Sequence, residues 1–126
     1  MEFSDRPLLL IVEDDDVERI ILHERFKQVY YVEEATNGYD ALKLCVNNNY
    51  DLVLLDLNLP ILSGLGLLYA INIIKPNQKI VVLSNQCVLR KDQYPNVLFW
   101  LDKPYKVITM DGLIEGAIMG HVVKKV

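Results

Sequence analysis

The residues with chemistry to offer are the acidic pair Glu13-Asp14, Asp56, Ser84 and Lys103, and each stands directly after or near the end of an apolar run. Residues 8–12 run into Glu13-Asp14-Asp15-Asp16, residues 52–55 into Asp56, residues 80–83 into Ser84, and residues 97–101 into Asp102-Lys103-Pro104. Carboxylates brought together raise one another's pKa unless they share a cation. A hard divalent ion with oxygen ligands, Mg²⁺ above all, resolves that conflict, because it needs only one or two carboxylates and keeps places for water and phosphate. With Mg²⁺ on Asp14 and Asp56, the free oxygen of Asp56 is a nucleophile for phosphorus. Lys103 would stabilise charge on the transferred group, and the Ser84 hydroxyl would hydrogen-bond to it.

That chemistry requires elements that bring distant residues together. Short apolar runs between turn signals read as strands buried on both faces, as in a parallel sheet. Residues 30–35 form a further, more polar strand, expected near an edge. Helical spacing links the strands: Val17, Ile20 and Ile21; Ala41, Leu42, Cys45 and Val46; Leu67, Leu68, Ile71 and Ile74; and Leu113, Ile114, Ala117, Ile118 and Val122. Residues 86–96 carry a weaker pattern broken at Pro95-Asn96 and are expected to form a short or irregular helix. The alternation predicts an α/β fold, a doubly wound five-stranded parallel sheet with helices on both faces. In such a sheet the C-terminal strand ends share one edge, where open α/β sheets bind ligands. Singly, Asp56 could be a strand-ending solvated acid, Ser84 a turn residue and Lys103 a surface charge. Their coincidence at one edge favours a site.

Composition sets the limits. The chain has 126 residues, expected as one domain over 1–126, and 52% of them are hydrophobic, which argues against disorder. A net charge of −4 and a pI near 5.1 argue against a nucleic-acid-binding surface. Cys45 and Cys87 have no metal-ligand spacing and are expected as reduced thiols. The N-terminus lacks an apolar signal core, and no run approaches the roughly 18 residues of a membrane span, so a soluble cytoplasmic domain is expected. Asp15 and Asp16 suit the first turn of a helix, where negative charge meets the dipole. His23 and His121 have no ligand spacing and receive no phosphorelay or metal role.

Four motifs together, LLLIVEDD at 8–15, LVLLDLNLPILSG at 52–64, IVVLSN at 80–85 and FWLDKPY at 99–105, resemble the receiver domain of bacterial two-component response regulators. The resemblance spans essentially the whole chain and implies the flavodoxin-like strand order 2-1-3-4-5. It implies Glu13 and Asp14 as the acidic pair for Mg²⁺, Asp56 as phosphoacceptor and the backbone carbonyl of Asn58 as a further metal ligand. It also implies Ser84 as switch hydroxyl, Lys103 as the essential lysine, Pro104 as a cis-proline and Trp100 as the aromatic that turns inward on phosphorylation. The implied partners are a histidine kinase or phosphotransfer protein as donor, and a downstream effector on the face of the helix expected over residues 86–96 (helix 4), the last strand over 97–101 and the closing helix marked by Leu113 to Val122. Such a domain catalyses only its own phosphorylation and dephosphorylation.

The departures bear on rate. Asn85 stands where the family has a small residue, and its side chain would narrow access to Asp56. Asn58 and Gln86 occupy positions where the family tunes autodephosphorylation. The stretch between Ser84 and Lys103 is shorter than usual, so helix 4 is expected to be remodelled. Two alternatives stay open. A haloacid-dehalogenase-type phosphatase would need an acid two positions after the nucleophile, where this chain has Asn58, and its acidic pair would come last instead of first. A receiver-like interaction module signalling without phosphorylation is opposed by the complete acidic set and favoured by Asn85 and the altered helix 4 region.

Overall fold

Alternating side-chain direction lets apolar strands build two cores from one sheet. The computed structural model describes residues 6–85 and 94–120. β1 (Leu8–Val12) sends Leu9 and Ile11 to one cluster and Leu10 and Val12 to the other. β3 (Leu52–Asp56) divides Leu52 and Leu54 from Val53 and Leu55, and β4 (Ile80–Ser84) divides Val81 and Leu83 from Ile80 and Val82. Strands buried on both faces need helices on both faces. α1 (Asp16–Phe26) and α4 (Val107–Met119) cover the first cluster through Leu22, Phe26, Met110 and Ile114. α2 (Gly38–Asn47) and α3 (Gly64–Ile74) cover the second through Ala41, Cys45, Leu67, Leu68 and Ile71.

β2 (Tyr31–Ala35) and β5 (Val97–Asp102) form the edges, and of β2 only Ala35 is buried, which explains its polar sequence. All pairings are parallel and the order is β2-β1-β3-β4-β5, the doubly wound flavodoxin-like arrangement. The chain runs outward from β1 to β2 and then returns to β3, so a crevice opens between the C-terminal ends of β1 and β3. Register brings the strand ends to one height: Val12 lies opposite Leu55, Asp56 opposite Leu83, and Ser84 opposite Asp102. The first three helices start on side-chain caps, with Asp15 accepting from the Glu18 N–H, Asn37 from that of Asp40 and Ser63 from that of Gly66, whereas α4, with Lys106 at its N-cap, starts without one.

Helix faces depart from the sequence expectation. In α1 the apolar residues Val17, Ile20 and Ile21 are at least half exposed, and Leu22 and Phe26 face the core. Leu22 and Phe26 are one helical turn apart, and at 100° per residue their face is turned away from the one shared by Val17 and Ile21. Val46 and Ile74 are likewise exposed at the ends of their stripes. Of the segment expected as helix 4, residues 86–93 lie outside the described residues; the Val97 N–H bonds to the Tyr94 carbonyl at 3.0 Å as the chain enters β5. Among the described residues, no helix is long and apolar enough to cross a membrane.

Candidate functional site

Strand alternation directs the site before any side-chain contact is considered. Asp56 continues the parity of Leu52 and Leu54, and Glu13 that of Leu9 and Ile11, so both belong to the α1 and α4 side. The Glu13 N–H still bonds to the Ala35 carbonyl at 3.0 Å, extending the ladder one residue past β1. After Asp56 the backbone turns sharply, and the Asn58 N–H donates to Asp56 Oδ1 at 2.9 Å. The first residue of α3 presses on this turn. A Cβ on Gly64 would lie 2.3 Å from Leu57 Cα and 2.6 Å from the Asp56 carbonyl oxygen, so only glycine fits. At the other end of the crevice the Lys103 N–H donates to the Ser84 carbonyl at 2.8 Å, and the Lys103–Pro104 peptide bond is cis.

The Lys103 ammonium stands among three carboxylates, 2.9 Å from Glu18 Oε2, 3.1 Å from Asp56 Oδ2 and 3.5 Å from Glu13 Oε1. Glu13 and Asp56 are almost wholly buried, at 1% and 2% exposure. Burial, then the hydrogen bond and negative charge of Asp56, push the Glu13 carboxyl up to about 9. Without a metal, burial and the neighbouring Asp56 therefore favour the protonated form of Glu13. Burial works against the charge on Lys103, yet its bonds to Glu18 and Asp56 outweigh that and hold it above the usual lysine value. Glu18 is lowered on balance: burial opposes the shift, and the bonds from Lys103, Glu13 and Tyr105 overcome it. The Tyr105 hydroxyl donates to Glu18 Oε2 at 3.0 Å.

This donor set fits a divalent cation. Glu13, Asp14 and Asp56 each bring a carboxylate oxygen within 4.8 Å of the others. Glu13 Oε1 is a buried acceptor without a hydrogen-bond partner, the kind of atom a cation would satisfy. Exposed Asp14 leaves one side of the cluster open to solvent. Hard, all-oxygen ligands with room for water suit Mg²⁺.

The remaining sequence candidates are placed as follows. Ser84 is buried at the tip of β4, and Asn58 is exposed beside Asp56. Trp100 is partly buried on the α2 and α3 side, its ring 6.4 Å from that of Tyr94. Pro104 and Asn85 are on the rim of the crevice, both exposed. Gln86 lies outside the described residues. Sequence reasoning missed Glu18 and Tyr105. A signal existed in the spacing Asp15-x-x-Glu18, a capping-box pattern in which the glutamate should return to the N-cap N–H. That N–H instead donates to Glu13 Oε2 at 3.2 Å, and Glu18 turns to Lys103.

The sequence profile of the response regulator receiver domain matches residues 9–94. Sporulation initiation phosphotransferase F of Bacillus subtilis is 35% identical over 77 residues, 60% of this chain and 62% of that protein. The chain thus spans less than two thirds of the length of the curated relatives it matches first. Among solved structures, the signal receiver domain of a putative LuxO repressor protein from Vibrio parahaemolyticus superposes with a TM-score of 0.83 at 23% identity, covering 92% of each chain. The response regulator TrrA of Thermotoga maritima, solved in complex with Mg²⁺ and BeF, gives a TM-score of 0.78 at 28% identity, covering 88% of this chain and 98% of that one.

Proposed function

The chain belongs to the response regulator receiver domain family of two-component signalling, and on that premise we propose that it accepts a phosphoryl group on Asp56 in a Mg²⁺-dependent reaction. The donor is a histidine kinase or a phosphotransfer protein, and residues 1–126 act as one receiver domain. The observation that carries this reading is the buried Asp56 carboxylate, bonded to Lys103 and flanked by Glu13 and Asp14 on one sheet edge.

An Asp56 oxygen forms a bond to phosphorus as the P–N bond of the donor's phosphohistidine breaks, and the departing imidazole nitrogen keeps the electron pair. Glu13, Asp14, Asp56 and the Asn58 carbonyl would hold Mg²⁺, which when bound supplies positive charge beside the phosphoryl oxygens. Lys103 meets one of those oxygens with its ammonium, and the Ser84 hydroxyl donates to another. In hydrolysis a water oxygen bonds to phosphorus as the P–O bond to Asp56 breaks, the Asp56 carboxylate keeping the electron pair and the water giving up a proton to solvent. Asn58, Asn85 and Gln86 set the access and orientation of that water. Phosphorylation adds about −1.5 to −2 charges. Movement of Ser84 and Lys103 toward them, with Trp100 turning inward, would change the surface of β5 and α4, where an effector binds.

The test is an intact mass spectrum after incubation with acetyl phosphate and Mg²⁺. We expect one added phosphoryl group in the parent and none in Asp56→Asn or after chelation with EDTA. A folded parent that gains no mass, even from a cognate kinase, would contradict the proposal in favour of a module that signals without phosphorylation.

A further inference from the structure

We propose that Glu18 is a positioning residue for the phosphoryl site: by holding the Lys103 ammonium, it governs how strongly that lysine can draw a phosphoryl group onto Asp56. The proposal rests on the reading of Asp56 as acceptor.

An ammonium has three N–H donors and no acceptor. Lys103 Nζ stands 2.9 Å from Glu18 and 3.1 Å from Asp56, with Glu13 at 3.5 Å in ion-pair reach, so its charge is already shared among carboxylates when Asp56 is unmodified. A phosphoryl oxygen arriving on Asp56 must compete for that charge, and the shortest contact competing with it is Glu18, at 2.9 Å. Glu18 is fixed for that role from two sides. Its N–H is tied to the Asp15 cap at 2.8 Å, and its Oε2 accepts from the Tyr105 hydroxyl at 3.0 Å. The capping-box return that would have drawn the side chain away is closed, because Glu13 Oε2 has taken the Asp15 N–H.

Space for the exchange is present. Glu18, Ile21, Asn85, Lys103, Pro104 and Tyr105 line an open cleft of about 410 Å³ on the α1 side of the crevice. Glu18 can swing into it once Lys103 turns to the phosphoryl oxygens. Tyr105 follows Pro104 directly, so the same exchange reaches the segment that leads into α4. Glu18 thus opposes phosphoryl capture in the resting protein and releases Tyr105 when capture succeeds.

The experiment measures the affinity for beryllofluoride in saturating Mg²⁺, read from the fluorescence of Trp100, the chain's one tryptophan. Glu18→Gln keeps an oxygen for Tyr105 and removes the charge that holds Lys103. We expect it to bind beryllofluoride about fivefold more tightly than the parent, the ratio appropriate to a partly exposed ion pair. Asp16→Asn removes the same charge from the same helix, but from a carboxylate bonded to Arg19. It should stay at the parent value, which separates the proposed hold on Lys103 from a general reduction of negative field. A loosened structure would weaken binding instead of tightening it. Equal or weaker binding by Glu18→Gln, or equal gains in both variants, overturns the proposal while leaving Asp56 as acceptor. Binding by Glu18→Gln alone, with none by the parent, supports it in its strongest form. If neither binds while both remain folded, the reading of Asp56 fails and the role of Glu18 falls with it.

Discussion

Glu13 shows how a site residue can work against the fold that holds it. An unfolded glutamate titrates near 4.5, whereas burial and Asp56 raise folded, metal-free Glu13 to about 9. Between those values the folded state binds a proton that the unfolded state has released, so stability falls as pH rises across that range. In EDTA, Glu13→Gln should therefore be more stable than the parent, by about 1–2 kcal/mol at pH 8 and by much less at pH 5. Urea denaturation at several pH values measures this, and a gap independent of pH would refute it. Mg²⁺ should narrow the gap, because in the parent the cation takes the place of the proton. Glu13 and Asp56 were legible in the sequence since each ends an apolar run. Glu18 was not, because its role depends on which acceptor takes the Asp15 N–H, a choice made only in three dimensions.

Among the elements, the segment from Asp56 to α3 is the most tightly specified. Ser63 caps α3, the Gly64 N–H bonds to the Leu57 carbonyl at 3.0 Å, and Gly38 at the start of α2 packs on the Leu62 carbonyl from the other side. Gly64→Ala must push Leu57 away, and overpacking of this kind costs about 1–3 kcal/mol. We expect that loss in urea denaturation together with slower phosphorylation, since the displaced backbone carries Asp56. Gly112→Ala, at an exposed position inside α4 where an added Cβ meets nothing within 4 Å, is the control and should gain about 0.5–1 kcal/mol from helix propensity instead of losing stability. The strands were predictable because burial on both faces leaves unbroken apolar runs. The core face of α1 was harder to read. Val17, Ile20 and Ile21 match helical spacing as well as Leu22 and Phe26 do, and only packing against the sheet selects between them.

The whole molecule joins a scaffold that is apolar through its centre to a charged edge. β3 and β4 are buried throughout, and the edge carries Glu13, Asp56 and Lys103 within hydrogen-bond or ion-pair reach. On the proposed reading, that separation would let the acidic cluster bind a cation and a phosphoryl group without disturbing the sheet, and Ser84 and Lys103, joined through their backbones, would pass the change toward β5. The strand order followed from a whole-chain resemblance; periodicity alone established a parallel sheet without its order. The central claim is that the phosphoryl group resides on Asp56. The most direct measurement is borohydride reduction of the acetyl-phosphate-treated protein, followed by peptide mass mapping, because reduction converts an aspartyl phosphate to homoserine. Homoserine is expected at position 56 and at no other aspartate. Homoserine at Asp14 or Asp102, or phosphate on a serine or histidine with position 56 unchanged, would contradict it.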